Sequence, residues 1–291
     1  MVSAAVTTMG RTAKTTVPLP IPSRYLVREL DRIPSELPEG CAIVGAGRLG
    51  HALAAALRAA GVEVDGPLGR GARPQAEVVL LCVPDGEIRA AADAIPARRP
   101  AASSGTRDGR SAASGEGAPQ LVGHCSGATT LAPLHPHEAF SLHPLMTVPE
   151  GGAAPFEGAG CAVAGTTPRA LHVAEAIAQA LHMRPVTVAD EDRAAYHAAA
   201  SIAANFLVTL EGAAERLAAT AGVERELLVP LARAALENWA AKGAEQALTG
   251  PVARGDEATI ARQRAAVEAR TPDLLGVFDT LVAASRVVVA A

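Results

Sequence analysis

Gly45-Ala46-Gly47-Arg48-Leu49-Gly50 constrains this chain more than any other stretch. It follows Cys41-Ala42-Ile43-Val44, a short apolar run of strand length, and precedes a helical stretch from His51 to Ala60. Between a strand and a helix, three glycines at this spacing have distinct tasks. Gly45 makes the tight turn, Gly47 lets the backbone approach a pyrophosphate, and Gly50 allows the helix to pack closely on the strand. The helix N-terminus then offers unpaired N–H groups and a partial positive charge to phosphates. An ordinary glycine-rich turn in a buried α/β protein is the competing reading, and the strand–turn–helix context weighs against it. Gly45, Ala46, Gly47, Arg48, Leu49 and Gly50 are therefore assigned to a dinucleotide.

The rest of the chain fits that beginning. Val62 to Leu68 and Ala76 to Pro84 read as strands, Gly86 to Ile95 as a helix, and Gln120 to His124, Ala139 to Leu142 and Cys161 to Ala164 as further strands. Pro168 to His182 reads as a helix and Pro185 to Val188 as a last strand. Strands alternating with helices predict a mostly parallel, doubly wound sheet. Beyond Asp190 the pattern is helical to the end: Glu191 to Ala219, Glu224 to Ala247, Pro251 to Ala269 and Pro272 to Ala290. The expected organisation is a disordered extension over 1–38, a Rossmann domain over 39–189 with a disordered insertion at 97–119, and an all-α domain over 190–291. One link is unusual. Gly71 to Gln75 leave no room for a crossover helix between the second and third strands, although parallel neighbours normally use one.

Composition narrows the function. The 291 residues are 49% apolar but only 2% aromatic, so the core must be built from Ala, Val and Leu. A net charge of −4 with no basic block argues against nucleic acid, which needs a concentrated basic surface. The chain has two lysines, Lys14 and Lys242, so a catalytic ammonium outside the N-terminal segment would have to be Lys242. Cys41, Cys82, Cys125 and Cys161 form no C-x-x-C pair and read as buried thiols, not as a zinc or disulfide framework. Neither a signal peptide nor an apolar run long enough to cross a bilayer is expected, which suggests a cytoplasmic protein without a membrane partner.

NAD sites place an acid at the end of the second strand for the ribose hydroxyls. Asp65 has about that spacing, but Gly66-Pro67-Leu68 carry the strand past it. Arg70, just beyond, suits a 2′-phosphate, so NADP is favoured over NAD, with a solvated loop charge as the alternative. Val83-Pro84-Asp85, ending the third strand, should line the same crevice at the carboxyl ends of the strands.

Several segments together resemble the bacterial proteins in which a Rossmann-like domain precedes domain of unknown function 2520. These belong to the wider group around pyrroline-5-carboxylate reductase, ketopantoate reductase and 6-phosphogluconate dehydrogenase. The matching pieces are Ile43 to Gly50, Val83-Pro84-Asp85, His124-Cys125-Ser126-Gly127, Ser141-Leu142-His143-Pro144-Leu145, Asp192 to Ala200, and Leu248-Thr249-Gly250-Pro251-Val252-Ala253-Arg254-Gly255-Asp256. The resemblance implies an NAD(P)-linked fold and a homodimer formed through the helical domain, and it names no substrate.

Candidate catalytic residues come from both parts. Arg193, His197, Ser201 and Asn205 recur every four residues, hence on one helical face among Ala, Ile, Phe and Leu. In the related β-hydroxyacid dehydrogenases the corresponding helix carries a catalytic lysine with an asparagine nearby; here His197 stands in the comparable place. The competing reading is that His197 and Asn205 satisfy backbone groups at a dimer interface. His143, expected after a strand, resembles the His-Pro-Met of prephenate dehydrogenases. Ser126 is either a substrate ligand or a helix N-cap. Arg254, one turn into a helix started by Pro251, would clamp a substrate carboxylate if buried, unless Asp256 neutralises it. The histidine spacings match no metal site. The expectation is an NAD(P)-dependent oxidoreductase, NADP-preferring, acting on a small carboxylate-bearing carbonyl, hydroxy or imino compound. The alternative is a non-catalytic dinucleotide-binding sensor or scaffold.

Overall fold

Runs of Val, Ile and Leu that stay apolar at every position, without alternation, must be buried on both faces, and such runs make the centre of the sheet. The computed structural model describes residues 37–96, 120–151 and 155–290. Almost all of the expected 1–38 extension and the whole 97–119 insertion lie outside the described residues. Seven strands form one sheet in the order β2-β1-β3-β4-β5-β6-β7. They are β1 (Gly40–Val44), β2 (Glu63–Leu68), β3 (Val78–Leu81), β4 (Leu121–His124), β5 (Glu138–Leu145), β6 (Gly160–Gly165) and β7 (Arg184–Thr187). Strands β1 to β5 are parallel to their neighbours, β6 runs antiparallel to β5, and β7 is parallel to β6.

The sheet is covered on both faces. On one, Cys41, Ile43, Val78, Leu80, Leu121, Phe140 and Leu142 pack against helices α1 (Arg48–Ala59) and α3 (Pro168–Ala180). On the other, Ala42, Val44, Val79, Leu81 and Val122 meet α2 (Ile88–Asp93) and the short turn around Leu134. This is the doubly wound arrangement that the alternation predicts. Residues 69–77 carry the chain from β2 to β3 past β1 without a helix. At about 3.3 Å per residue an extended link of that length can traverse the sheet.

Helices follow. A nearly continuous rod comprises α4 (Arg193–Ser201), a π-helical turn over Ile202–Phe206, and α5 (Leu207–Ala219). Then come α6 (Arg225–Lys242), α7 (Ala244–Ala247), α8 (Gly250–Ala253), α9 (Glu257–Arg270) and α10 (Leu275–Ala290). Among the described residues no helix is long and apolar enough to cross a membrane.

Candidate functional site

Two cavities open on the carboxyl side of the central strands. The first lies under the glycine loop. Gly45 has φ +116°, and a Cβ there would come 2.2 Å from the Cys82 carbonyl oxygen, so only glycine makes this turn. A Cβ on Gly50 would lie 1.9 Å from the Gly45 carbonyl oxygen, which is how tightly α1 seats on the loop. At Gly47 a Cβ would meet nothing within 4 Å. The space in front of Gly47 is therefore open cleft. No side chain caps the N-terminus of α1, whose first turn carries no acid, so it offers an anion its backbone N–H groups. Ala46 is exposed at the tip of the loop. The cleft, about 420 Å³, is lined by Gly47, Arg48, Leu49, Val83, Pro84 and Asp85, with Cys82, Cys125, Ser126 and Val148. Arg70 stands just past β2, 81% exposed, its guanidinium 2.7 Å from the Glu87 carboxylate.

The second cavity, about 630 Å³, lies between the end of β5 and the rod of α4 and the π turn. Its polar lining is His143, Thr147, Tyr196, His197, Ser201 and Asn205. The structure thus brings His143 together with the helical stripe. His143 Nδ1 lies 2.8 Å from the Tyr196 hydroxyl, and the His143 and His197 rings meet edge-on with centroids 6.1 Å apart. Burial pushes the His143 imidazole down to about 4, helped by the nearby His197 and Arg193 charges. Burial lifts the Tyr196 hydroxyl to about 12. Both groups are neutral at pH 7, so one proton is shared across their hydrogen bond. If the hydroxyl donates it, the ring's own proton sits on Nε2; if Nδ1 donates it, the tyrosine O–H is released. Either tautomer leaves one proton donor available beside the cavity.

Arg193, at the start of α4, is 1% exposed. Its Nε donates to Asp190 at 2.9 Å and an Nη donates to the Ser141 hydroxyl, which ties the helix to β5. Its other Nη has no partner among the described residues.

Gly127 lies against the histidines of the second cavity. A Cβ there would lie 2.7 Å from His143 Cε1, 2.9 Å from His143 Nε2 and 2.9 Å from His197 Cδ2. Its neighbours Cys125 and Ser126 line the cleft on the other side.

Residues 159–285, from just ahead of β6 into α10, match the family described as Domain of unknown function (DUF2520). No curated protein sequence matches the chain. Among solved structures it is similar to BF3122 of Bacteroides fragilis, provisionally named an NADP oxidoreductase, with 17% identity and a TM-score of 0.68 over 86% of this chain and 98% of that one. TM1727 of Thermotoga maritima has 23% identity and a TM-score of 0.65, again over 86% and 98%. A reductive aminase of Aspergillus terreus, in complex with NADPH4, cyclohexanone and allyl amine, has 15% identity and a TM-score of 0.53 over 86% and 95%. At these identities the likeness is one of fold. The fold is that of Rossmann-type reductases.

Within the DUF2520 span the rod supplies most of the second cavity, and here the structure adds a residue and moves others. Tyr196 adds to the stripe of Arg193, His197, Ser201 and Asn205, whose spacing of four passes over it. A helical face also includes the i+3 positions, and Arg193 plus three is Tyr196. Arg254 is exposed at the end of α8 and does not line the cavity. Asp256 caps α9, accepting from the Thr259 N–H at 3.0 Å, so it serves the helix and forms no ion pair with Arg254. Ahead of this span, His143 lies within β5 and not after a strand. Pro144 is tolerated there because β4 pairs with β5 only as far as Ser141. The Ser126 hydroxyl accepts from the N–H groups of Ala128 at 3.3 Å and Thr129 at 2.9 Å, and no helix starts there. Ser126 shapes a turn, with its residue at the cleft wall. His124 is fully buried, its Nδ1 accepting from the Ser126 N–H and its Nε2 paired with the Thr130 carbonyl. Among the described residues no three His, Cys, Asp or Glu side chains are grouped to hold a metal.

Stability should report the buried imidazoles. Desolvation lowers the proton affinity of both His143 and His124 below the ordinary 6.5. The unfolded chain therefore binds more protons than the folded one below about pH 6.5, so stability falls as pH drops through that window towards about 4. The melting temperature is expected to rise with pH across this range, less steeply in His143→Gln than in the parent. Equal slopes would show that His143 titrates alike in both states.

Proposed function

We propose that the protein is an NAD(P)-dependent oxidoreductase, NADP-preferring, that transfers hydride to or from a small carboxylate-bearing carbonyl, hydroxy or imino compound. The observation that carries this reading is the adjacency of the cleft and the His143–Tyr196 pair: Ser126 lines the cleft, and the next residue, Gly127, packs against His143 and His197. The cleft fits a dinucleotide: the uncapped α1 N-terminus and the open space at Gly47 suit a pyrophosphate, and Val83, Pro84 and Asp85 form the wall beyond it. A bound nicotinamide supplies or accepts the hydride. The chain's own residues do the rest. The His143–Tyr196 pair holds a proton for the substrate oxygen or nitrogen, while His197, Ser201 and Asn205 offer hydrogen bonds that orient the substrate. No arginine or lysine is among the residues lining the cavity, so a substrate carboxylate would rely on hydrogen bonds from these side chains.

A homodimer through the helical region is part of the proposal. Helix α6 buries no residue in the single chain, and Leu227, Leu231 and Trp239 are 69%, 69% and 57% exposed. An 18-residue helix with such a surface calls for a partner. The protein is proposed to act in the cytoplasm.

A panel of 2-oxo acids, aldehydes and cyclic imines, followed by NADPH consumption, tests the activity. Turnover of one class supports the enzyme. Tight NADPH binding with no turnover across the panel would point to a dinucleotide sensor. For cofactor choice, Arg70→Ala is expected to weaken NADPH by about tenfold and leave NADH nearly unchanged, since one exposed charge-assisted contact contributes about 1.5 kcal/mol. Equal small losses for both cofactors, read by calorimetric titration, would make Arg70 a loop charge paired with Glu87.

A further inference from the structure

Cys82 and Cys125 are the residues immediately after β3 and β4, which are direct neighbours in the sheet with Leu81 opposite His124. The two cysteines are therefore laterally opposed, on strands about 4.8 Å apart, inside the Cα separation that disulfides accept. Their Sγ atoms are 3.7 Å apart. Both line the cleft under the glycine loop, Cys82 half-buried and Cys125 buried. We propose that this pair is a redox-active dithiol in the cleft wall, which closes to an intramolecular disulfide on reaction with a hydroperoxide, and that the closed bond and a bound dinucleotide oppose one another.

The chemistry follows from exposure. Cys82, the more accessible sulfur, attacks the peroxide as its thiolate. The O–O bond breaks, a sulfenic acid forms on Cys82, and the departing hydroxide leaves as water with the thiol proton. The Cys125 sulfur then attacks the sulfenic sulfur. The S–O bond breaks, a second water leaves, and the two thiols have lost two hydrogens while the peroxide is reduced to water. Side-chain rotation has to close the gap from 3.7 Å to about 2.05 Å. Cys41 and Cys161 do not line the cleft, and the Cys125 thiol, raised by its contact with Cys82 and by burial, is the second sulfur to react and not the first.

The opposition to the dinucleotide rests on the reading of the cleft given above. Cys82 is the floor of the glycine loop. Its N–H donates to the Val44 carbonyl at 2.7 Å, its own carbonyl abuts Gly45, and its Cβ is 3.5 Å from where a Gly50 Cβ would be. A loop seated this tightly has little slack to accommodate a displaced Cys82. A dinucleotide lying across the loop would in turn cover the attacking sulfur.

The test uses the full-length chain, reduced, desalted and treated with hydrogen peroxide with and without saturating NADPH. Intact mass should fall by two hydrogens, digestion should yield a peptide joining Cys82 to Cys125, and dithiothreitol should reverse both. NADPH should slow the closure, and the oxidised protein should bind NADPH about tenfold or more weakly. Cys125→Ala should give no cross-link. Oxygen addition at Cys82 without a cross-link, or no reaction, would overturn the dithiol. A cross-link that forms equally fast with NADPH bound, and leaves its affinity unchanged, would overturn the opposition. If the reduced protein binds no NADPH yet cross-links, the dinucleotide reading of the cleft fails and the opposition with it, while the dithiol stands.

Discussion

A Gly47→Val variant is expected to fold like the parent and to lose NADPH binding by at least about a hundredfold, close to 3 kcal/mol. Gly47 has φ −80° and ψ −179°, an extended conformation that a β-branched residue adopts readily. A Cβ at this position touches no protein atom within 4 Å. The valine methyls would therefore fill only the mouth of the cleft, where a pyrophosphate has to approach the first turn of α1. Its two neighbours in the motif provide the contrast. Gly45→Ala and Gly50→Ala would drive a Cβ into backbone oxygens at 2.2 Å and 1.9 Å, so both should lose stability, at a cost of about 1–3 kcal/mol or more. Melting curves and calorimetric titration together separate the cases. Unchanged NADPH affinity in Gly47→Val would remove the dinucleotide from this cleft.

That contrast also shows why one part of the molecule could be read from sequence and another could not. The turn from β1 into α1 is governed by local sterics: a positive φ at Gly45 and close approaches at Gly45 and Gly50 leave no other residue acceptable, so the motif announces its own geometry. The apolar runs of β3 and β4 likewise require burial on both faces. Strand direction was less legible at β6. Among the described residues between Leu145 and Gly160 there is no crossover helix, and β6 returns beside β5 antiparallel. The long α4–α5 segment reads as one helix in periodicity, and nothing in its Ala-rich composition marks the π turn at Ile202–Phe206. The cavity was legible as a stripe of His197, Ser201 and Asn205. Its partner on β5 was legible only as an isolated His143, because the contact that joins them spans 53 residues. Arg254 shows the opposite limit. An arginine in a distinctive motif invites a role in the site, but exposure is a tertiary property, and a short helix, α8, leaves this side chain outside the cavity.

Loss of the His143–Tyr196 pair is expected to have the largest effect on turnover. His143→Gln should lower kcat by about a hundredfold to ten-thousandfold, the usual contribution of a positioned proton donor, and change NADPH affinity little. Tyr196→Phe removes the hydroxyl 2.8 Å from Nδ1 and should act on the same step. If the two share one proton, they function as a unit, and the double variant should be no slower than the worse single one. Independent, additive losses would show two separate contributions and break the pair. His197→Ala separates the remaining possibilities before any substrate is known. His197 is exposed in the cavity of the single chain. If it serves the reaction, its removal should leave the mass in solution and the melting temperature unchanged and reduce turnover. If it instead satisfies groups across a dimer interface, the variant should dissociate or lose about 1–3 kcal/mol of stability as a polar partner is left unpaired. Light scattering and thermal melting read this outcome directly, and a monomeric or early-melting His197→Ala would leave the His143–Tyr196 pair as the proton source on its own.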